Sequence, residues 1–537
     1  MRWWGWGEDG HDVALPDAAT AMLQSALGVE DGARRRPPAL ETVRLPATRL
    51  PGAVRERLAD IVGAEHARED HKTRVAHAAG RSYPDLVRLR SGELAHAPDL
   101  VLFPGSAGDV GALLRACSEA RVAVVPFGGG TSVVGGVEPL ADGFAGAVTL
   151  DLRRLDRISD LDPLSLTATL GAGLYGPEAE RRLAAEGLTL GHFPQSFEFS
   201  TVGGWVATRS AGQASTGYGR IDELVDALRC VSPAGEISPR AVPASAAGPD
   251  LRELLVGSEG TLGVICEATL RLRPAPQERL YEGWSFRSFA EGCEAFRVME
   301  QRGASPDVAR LSDEHETALG IALASTGSGL ERLGRRYLRL RGHEGGCIAI
   351  TGLEGEPEDV ERRRRLVGGV LRAGGGVHLG GAPGERWLRT RFAAPYLRDE
   401  LLDRGVMAET LETATAWSNL AALYEAVGSA LREALGDQAM VMCHVSHLYP
   451  SGASLYFTFL ARQEEDALAQ WQRAKAAASE AIAAGRGTIT HHHAVGRDHA
   501  PWMRAEVGEL GLELLRAAKA RLDPAGIMNP GKLVPPA

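Results

Sequence analysis

From residue 98 onward, short apolar runs alternate with amphipathic stretches. Four of these runs predict strands, at 99–103, 122–125, 148–151 and 166–170. Ser106 followed by Asp109 is a helix-start pattern, and it predicts a helix that runs to Ala120. Pro177 favours a first helical turn, so we expect a second helix from there to residue 186. Strands and helices mixed without a long βαβ repeat indicate an α+β fold.

Beyond residue 276 the pattern changes to longer helical stretches. Pro274 and Pro276 indicate a linker. Further strands are predicted at 308–311, 347–351, 441–449 and 455–460. These strands suggest a second sheet that is covered by helices. Amphipathic helices are predicted at 501–522 and, near the amino end, at 46–62.

We therefore expect the chain to have four parts. They are a partly helical amino-terminal region (1–94), a first α+β domain (95–275), a second α+β domain that caps it (276–500), and a carboxy-terminal helix and tail that pack back on the first domain (501–537). Trp3, Trp4 and Trp6 cluster at the amino end, which predicts that this end packs on the body of the protein or on a partner subunit.

Composition and charge exclude several classes of function. The 537 residues carry a net charge of −10, so nonspecific binding of nucleic acid is not expected. The six cysteines lie far apart, which predicts reduced, buried thiols in a cytoplasmic protein. The chain contains no apolar run of the ~20 residues that cross a bilayer. We expect neither a signal peptide at its start nor a peroxisomal Ser-Lys-Leu signal at its end, and the arginine- and alanine-rich composition suggests a bacterial source.

A glycine-rich loop follows the strand predicted at 122–125. From Pro126 to Ser132 it reads Pro-Phe-Gly-Gly-Gly-Thr-Ser, and its uncovered N–H groups could wrap around a diphosphate. It is neither a P-loop, because no lysine follows, nor a Rossmann turn, because the third glycine is missing. Taken alone, this loop could equally be a simple glycine-rich turn. Similar segments at 191–212 and 257–263 favour a bound dinucleotide over three unrelated turns.

These loops, with the Asp-Pro-x-Gly-Ile-x-Asn-Pro-Gly-Lys segment at 523–532, resemble the vanillyl-alcohol oxidase family with its PCMH-type FAD-binding domain. Within that family, the chain is most similar to the alkyldihydroxyacetonephosphate synthases. Five segments carry this closer resemblance, and they lie at 4–7, 197–205, 396–399, 446–457 and 491–496. The resemblance implies a PCMH-type FAD-binding domain at 95–275 and a substrate-binding cap domain at 276–500.

The resemblance also assigns residues to FAD. No histidine lies in the first glycine loop to form a covalent bond, so noncovalent FAD is expected, and His192 is the nearest residue that could attach it. The assigned residues are Pro126, Phe127, Gly128, Gly129, Gly130, Thr131, Ser132, Gln195, Ser196, Phe197, Glu198, Phe199, Ser200, Thr201, Thr208, Arg209, Ser210, Ala211, Glu259, Gly260, Thr261, Leu262, Gly263, Val264 and Ile265.

Tyr456 has two interpretations. From the alternation of Leu455-Tyr456-Phe457 alone, it is an inward strand residue whose hydroxyl is merely hydrogen-bonded. The resemblance makes it the acid/base residue that takes a proton from substrate C1. For that role a phenol with a pKa of ~10 must be made more acidic by cationic or hydrogen-bonding neighbours.

The triple histidine His491, His492 and His493 could be a metal site or a surface run. In an extended chain His491 and His493 would share one face and His492 would point away. No nearby cysteine or histidine pair has zinc-site spacing, so no metal is expected. The resemblance places the three rings at the flavin and the substrate, where they position and protonate the departing carboxylate or the incoming alcohol.

Two arginines complete the candidate site. Arg398 could form an exposed helix salt bridge, whereas the resemblance assigns it to a substrate phosphate, which suits a planar bidentate donor. Arg310 has apolar neighbours, which disfavours a bare surface role, and it matches an arginine important in the family.

The resemblance implies a non-redox flavoenzyme of ether-lipid synthesis. It would exchange the acyl chain of 1-acyl-dihydroxyacetone phosphate for a long-chain alcohol, through a covalent bond between flavin N5 and substrate C1. Its partners would be small lipid substrates, which leave open a peripheral membrane contact as well as a homodimer. The alternative is an FAD-linked oxidase or dehydrogenase of a 2-hydroxy acid such as D-lactate or glycolate. That branch carries a His-x-x-Gly-Asp-Gly-Asn-x-His metal motif, whereas 447–456 here lacks the Asp and has tyrosine for the second histidine.

Overall fold

The fold is described from a computed structural model that covers residues 1–10, 13–29, 34–325 and 329–535. Its strands in chain order are β1 (Ala67–Arg68), β2 (Leu100–Leu102), β3 (Ala123–Phe127), β4 (Ala147–Asp151), β5 (Ile158–Asp162), β6 (Thr167–Gly171), β7 (Leu188–Thr189), β8 (Val225–Ser232), β9 (Gly235–Ile237), β10 (Val264–Arg271), β11 (Arg273–Pro274), β12 (Glu278–Phe286), β13 (Val308–Ser312), β14 (Cys347–Gly355), β15 (Val377–Gly380), β16 (Val406–Ala416), β17 (Met440–Val445), β18 (Leu448–Tyr449) and β19 (Gly452–Arg462).

The helices pack on both sides of the sheets. In chain order they are α1 (Asp17–Leu27), α2 (Gly52–Val62), α3 (His71–Ala76), α4 (Tyr83–Ser91), α5 (Ala107–Ala120), α6 (Gly176–Ala184), α7 (Val202–Thr208), α8 (Ser215–Tyr218), α9 (Ile221–Leu224), α10 (Leu251–Leu255), α11 (Phe289–Gln301), α12 (Glu314–Ala324), α13 (Gly329–Leu340), α14 (Pro357–Ala373), α15 (Ala382–Thr390), α16 (Ala394–Asp403), α17 (Trp417–Leu435), α18 (Ala467–Ala484) and α19 (Met503–Leu522), with short 3₁₀ helices at Leu40–Thr42, Ala64–His66 and Ala500–Trp502.

Two small sheets build the first half of the protein. The first sheet has the order β1-β2-β4-β3, and its β2, β4 and β3 are parallel. The predicted helix between β2 and β3 is confirmed as α5, and its cap Ser106 accepts a hydrogen bond from Asp109 N at 3.1 Å. The second sheet is antiparallel, with the order β5-β6-β10-β8-β9. The glycine-rich loop leaves the end of β3, so it lies at the edge of the first sheet.

The third sheet is large and antiparallel, with the order β15-β12-β14-β13-β17-β19-β16 and β18 beside β19. Its period-2 alternation separates a core face from a cavity face. On β19, Phe457 and Phe459 are fully buried in the core beneath α17 and α18, while Tyr456 and Thr458 face a large cavity. Burying each phenylalanine stabilises the fold by roughly 1.5–3 kcal/mol. This packing also fixes the side on which Tyr456 must point.

Both chain ends pack on the body of the protein. Trp6 is buried, and its backbone N–H donates to Asp399 Oδ2 at 2.6 Å, as the clustered tryptophans predict. At the other end, Asn529 N donates to Val124 O at 2.8 Å, and its side chain donates to Gly136 O at 3.0 Å and Glu259 O at 2.7 Å. The carboxy-terminal tail therefore closes over the glycine-rich edge of the first sheet.

Several predicted elements need correction. The helix predicted at 46–62 begins at Gly52, because Pro51 ends an extended stretch whose Pro46 carbonyl accepts a bond from Arg74. The helix predicted at 501–522 is interrupted at Gly508, which has a left-handed φ of 73°. The supposed linker is partly a strand, because β11 pairs with β7.

Other corrections concern the third sheet. The single strand predicted at 441–449 is two strands, β17 and β18, separated at Ser446 and His447. Strand β16 was missed, because Met-Ala-Glu-Thr-Leu-Glu favours a helix by composition and the long pairing with β19 overrides that preference. Cys293 is partly exposed, while the other five cysteines are buried as expected. Among the described residues, none of the helices has both the length and the apolar character of a membrane span.

Candidate active site

A cavity of about 1020 Å³ lies between the glycine-rich loops and the third sheet. One wall is formed by the loop at 126–132 and the neighbouring segments at 194–211 and 259–265. The opposite wall is formed by β13, β16, β17 and β19, and the histidine loop at 492–494 joins the two walls. A dinucleotide and a second molecule could therefore meet at this junction.

The glycines of the first loop allow its backbone to lie directly on a neighbouring segment. A Cβ on Gly129 would overlap the Phe199 carbonyl, and one on Gly128 would overlap the Thr201 hydroxyl. Gly130 has a left-handed φ of +67°. The loop therefore forms a cradle of backbone groups along the cavity wall, and this is the shape that a diphosphate requires.

The structure brings most of the residues assigned to FAD to this wall. Those that line the cavity are Pro126, Phe127, Gly128, Gly129, Gly130, Thr131, Ser132, Gln195, Ser196, Ser200, Thr201, Thr208, Ser210, Ala211, Glu259, Gly260, Gly263 and Ile265. Others point elsewhere. Phe197 stacks on Phe392 at 5.6 Å, Glu198 accepts a bond from Tyr396, and Phe199 packs edge-on against Trp6 at 5.6 Å.

Four more of the assigned residues turn away from the cavity. Arg209 turns outward to Asp222 and Glu253. Thr261 donates to Ser258 O at 2.7 Å. Leu262 and Val264 belong to the apolar cores. The backbone of these residues continues the loops, while their side chains support the wall from behind.

His192 is buried behind the wall. Its Nε2 lies 2.8 Å from Ser210 Oγ, and its ring packs on Trp205 with centroids 5.0 Å apart. Burial lowers the pKa of His192 to about 3, so the ring is neutral. It does not line the cavity.

Tyr456 occupies the centre of the third sheet's cavity face. Glu412 on β16 and His444 on β17 are its direct cross-strand partners, and the His444 ring stacks on it at 4.6 Å. Burial raises the pKa of Tyr456 to about 12, and Thr410 and Arg398 oppose this shift without cancelling it. The expectation of a lowered pKa is therefore wrong for the protein alone, because burial and the carboxylates of Glu412 and Glu409 all raise it.

The triple histidine folds into a compact turn rather than an extended strand. His492 and His493 both contact the Tyr456 ring, with centroids 5.9 and 5.3 Å away, so the expected alternation of faces is wrong. His491 Nδ1 lies 2.9 Å from His492 Nδ1. Its Nε2 lies 2.6 Å from the Tyr449 hydroxyl, on the side away from the cavity. His492 and His493 thus line the cavity, and His491 lies behind them.

A buried carboxylate, Glu412, holds this turn. It accepts hydrogen bonds from the backbone N–H groups of His491 at 2.5 Å, His492 at 3.1 Å and His493 at 2.8 Å, and from Thr490 Oγ1 at 2.7 Å. Burial alone would raise the pKa of Glu412, but the bonds that it accepts from the histidine backbone and from Thr490 outweigh burial and hold the pKa well below its usual range. Glu412 is therefore an anion at neutral pH.

The histidines themselves are neutral. Burial lowers the pKa of His493 to about 3 and also lowers that of His491 and His492, although Glu412 acts in the opposite direction. Neutral imidazoles beside one fixed anion can accept a proton, and that proton is then stabilised by the anion. The group can therefore serve as an acid/base system.

A second carboxylate, Glu259, holds the end of the same loop. It accepts bonds from Val495 N at 2.8 Å and Gly496 N at 2.7 Å, and burial raises its pKa to about 7. Glu259 was assigned to the cofactor by sequence. Glu259 does line the cavity, but its carboxylate ties the histidine loop to the glycine-rich wall.

The two candidate arginines both line the cavity. Arg310 lies 3.0 Å from a ring nitrogen of His444 and forms an ion pair with Glu316 at 3.0 Å. Arg398 donates to Arg81 O at 2.9 Å and is only partly exposed, so the exposed helix salt bridge is excluded. Its Nε is buried and has no hydrogen-bond partner in the described part of the chain. This free donor suits an anionic ligand.

The far part of the cavity is apolar. Its wall includes Leu319, Ile321 and Leu323 of α12, together with Met442 and Leu460 of the sheet. This part could hold an aliphatic chain, with its polar end near Tyr456.

His447, the residue before β18, packs against two of the three histidines. Its ring centroid lies 5.0 Å from that of His491 and 4.9 Å from that of His492. Ligand atoms of His447, His491 and His492 lie within 4.8 Å of one another, and both ring nitrogens of His491 are already paired, with His492 Nδ1 and with the Tyr449 hydroxyl. The His447 Nδ1 lies 2.6 Å from Ser215 Oγ.

Sequence reasoning missed the residues that support the site. Glu412 and Glu316 carried no motif, and His444 was one polar residue within a strand pattern. Tyr449 and His447 were noticed only as parts of a family segment. The sequence signal that could have identified such residues is a polar residue inside an otherwise apolar strand. A polar side chain at a buried position needs a buried hydrogen-bond partner.

The chain is similar to known FAD-dependent proteins in sequence and in structure. A profile described as "FAD binding domain" matches residues 98–238, and one described as "FAD linked oxidases, C-terminal domain" matches residues 275–533. The alkyldihydroxyacetonephosphate synthase of Dictyostelium discoideum is 34% identical over 501 residues, covering 91% of this chain and 82% of its own. The synthase of Trypanosoma brucei brucei is 33% identical, covering 100% and 92%. A solved alkyldihydroxyacetonephosphate synthase structure superposes with a TM-score of 0.87 at 29% identity and covers 99% of both chains.

The Gly129 contact gives a direct test of the cradle. Gly129→Ala would push the loop away from the Phe199 carbonyl. A loss of about 1.4 kcal/mol of binding free energy from this displacement would already weaken FAD binding tenfold, so we expect a loss of affinity of ~10-fold or more. Flavin absorbance per mole of purified protein measures this. Gly369→Ala is the control, because Gly369 is an exposed residue of α14 where an added Cβ meets nothing within 4 Å. Full flavin content in Gly129→Ala would contradict the cradle.

Proposed function

The chain belongs to the alkyldihydroxyacetonephosphate synthase family, and we propose that it is an FAD-dependent synthase acting on 1-acyl-dihydroxyacetone phosphate and a long-chain alcohol. The products are the 1-alkyl ether and a fatty acid, with no net redox change. The observation that carries the proposal is one cavity that joins a glycine cradle, an acid/base group and an apolar wall.

FAD fits the first wall, where the cradle and the lining side chains of 195–211 and 259–265 would hold it. When bound, the flavin supplies the electrophilic and nucleophilic centre that holds the substrate carbon during exchange. We propose that it is held noncovalently, which the position of His192 behind the wall supports. Acid treatment of the purified protein should release all of the flavin into solution.

The remaining residues take complementary roles. Tyr456 removes and returns the proton at substrate C1, and its neutral neighbours His492 and His493 accept the proton that the alcohol loses as the ether bond forms. Arg398, with its free Nε, binds the phosphate. Arg310 fixes His444 beneath the Tyr456 ring. The apolar wall of α12 receives the alkyl chain. None of these roles requires a metal, so a chelator should leave activity intact.

Product analysis tests the proposal. The protein is incubated with 1-acyl-dihydroxyacetone phosphate and labelled hexadecanol, and we expect label in an ether product together with one equivalent of free fatty acid. Reduction of the flavin by D-lactate or glycolate, with no ether product, would overturn the proposal in favour of an oxidase.

We further propose that helix α13 contacts a membrane. Leu333, Tyr337 and Leu340 are 64%, 46% and 77% exposed and recur at i, i+4 and i+7, so they share one face. Arg336 and Arg339 lie on the same helix, and a basic amphipathic helix suits an anionic lipid surface. Helix α13 follows α12, which forms the apolar cavity wall, so a lipid substrate would enter from that side.

The cytoplasmic location, the homodimer and the division at 94, 275 and 500 stay predictions. Sedimentation of the purified protein tests the homodimer, and limited proteolysis tests the division.

Tyr456→Phe keeps the ring but removes the hydroxyl. If the phenol carries the C1 proton, turnover should fall by ~10²-fold or more while the apparent substrate affinity changes little. Tyr281→Phe, a buried tyrosine bonded to Glu354, is the matched control. Near-normal turnover of Tyr456→Phe would return Tyr456 to the role of a plain strand residue.

Arg398→Lys keeps the charge but loses the planar fork. The KM for the phosphorylated substrate should rise by about 10-fold, with a smaller change in kcat and an unchanged flavin spectrum. An unchanged KM would remove Arg398 from the phosphate site.

Membrane contact is tested with Leu333→Glu/Leu340→Glu. Binding to vesicles of equal parts phosphatidylcholine and phosphatidylglycerol should weaken by ~10-fold or more, because two apolar side chains leave the lipid interface. Leu164→Glu, on the 95%-exposed tip of the β5–β6 hairpin, is the control. Equal vesicle binding by all three proteins would contradict the proposal.

A further inference from the structure

The exchange reaction leaves a proton in a buried site. This inference rests on the proposed function. The bond between C1 and the ester oxygen breaks and the carboxylate leaves with the electron pair. A bond between C1 and the alcohol oxygen forms, and the alcohol O–H bond breaks. The C1 proton is removed and later returned, so it makes no net contribution to the proton balance. The alcohol proton is released, because the fatty acid leaves as an ionised carboxylate at neutral pH. One proton per turnover must therefore reach solvent.

A chain of hydrogen bonds, here called the line, runs from His492 through His491 to Tyr449 and leads out of the cavity. His492 lines the cavity, and its Nδ1 lies 2.9 Å from His491 Nδ1. His491 Nε2 lies 2.6 Å from the Tyr449 hydroxyl. Neither His491 nor Tyr449 lines the cavity, and Tyr449 is partly exposed. The line therefore crosses the cavity wall through three side chains, His492, His491 and Tyr449. Each of them can both accept and donate a proton.

Tyr449, at the outer end of the line, is held by the positive charge of Arg220. Arg220 lies beside the Tyr449 hydroxyl and opposes the rise that burial causes in the Tyr449 pKa. Its Nε donates to Asp222 Oδ1 at 3.0 Å, and both side chains are partly exposed. Arginine cannot pass on a proton itself, since it is always charged. It can hold the phenol oxygen in place and stabilise it while its proton moves to water.

The turn geometry fixes the order of the line. Glu412 holds the backbone of all three histidines, so His491 faces outward to Tyr449 while His492 faces the cavity. Ser215 Oγ bonds His447 Nδ1 at 2.6 Å and keeps that neighbouring ring against His491 and His492. The apolar wall and a bound chain would exclude water from the other side of the cavity.

We propose that Tyr449 is a proton-relay residue that carries the alcohol proton from His491 to solvent at Arg220. Tyr449→Phe removes the hydroxyl alone. Its ether-forming turnover should fall by ~10-fold or more, its solvent deuterium isotope effect should rise above that of the wild type, and added imidazole should restore much of the rate. Tyr424→Phe, which removes a partly buried hydroxyl bonded to Asp313, should match the wild type in all three measurements.

The outcomes separate the two claims. Wild-type turnover and isotope effect in Tyr449→Phe, with normal ether product, would overturn the relay and leave the proposed function standing. A slow variant that imidazole does not rescue and whose isotope effect is unchanged would also overturn it, because Tyr449 would then only position His491. A wild-type protein that forms no ether would overturn the proposed function and the relay with it. Flavin absorbance of each variant shows that the fold is retained.

Discussion

The candidate site depends on the contact between the Glu412 carboxylate and the histidine turn. A buried carboxylate is costly unless hydrogen bonds compensate, and Glu412 receives three backbone N–H bonds and one hydroxyl bond. These bonds tie the loop at 490–493 to β16. Because Tyr456 lies directly opposite Glu412 on β19, the same carboxylate sets the distance between the phenol and the imidazoles. Loss of the carboxylate would leave three buried N–H groups without partners.

Burial keeps most of the titratable groups around this contact uncharged. The histidines are deprotonated, the phenol is protonated, and Glu412 is the fixed anion among them. Glu316 forms a similar anion beneath His444, compensated by Arg310. Proton transfer from a substrate to this group would create charge close to an anion that is already in position. The second carboxylate, Glu259, links the loop to the glycine-rich wall of the cavity, so the two halves of the protein meet at one turn.

The sequence predicted the pieces of the fold that are set by local pattern. The strands and helix around residues 99–125 follow from apolar runs and the Ser106 cap, and the glycine loop follows from its own composition. Strand β16 could not be predicted, because its residues favour a helix and only pairing with β19 makes them a strand. The glycine-rich loops that line the cavity were recognisable from family segments. The direction of side chains such as Phe197 and Arg209 was not, since partners distant in sequence decide it. Glu412 lies about 80 residues from the histidines it holds, and no local pattern joins them.

The most direct test of this account is the turnover of Glu412→Gln beside that of Thr490→Val. The amide keeps the size of the side chain but removes the charge and turns an N–H group toward the backbone donors. We expect kcat for ether formation to fall by ~10²-fold or more with flavin content unchanged, while Thr490→Val, which loses one bond and keeps the anion, retains most of its activity. If Glu412→Gln turned over like the wild type, the histidine turn would not depend on the buried carboxylate, and the central claim would be wrong.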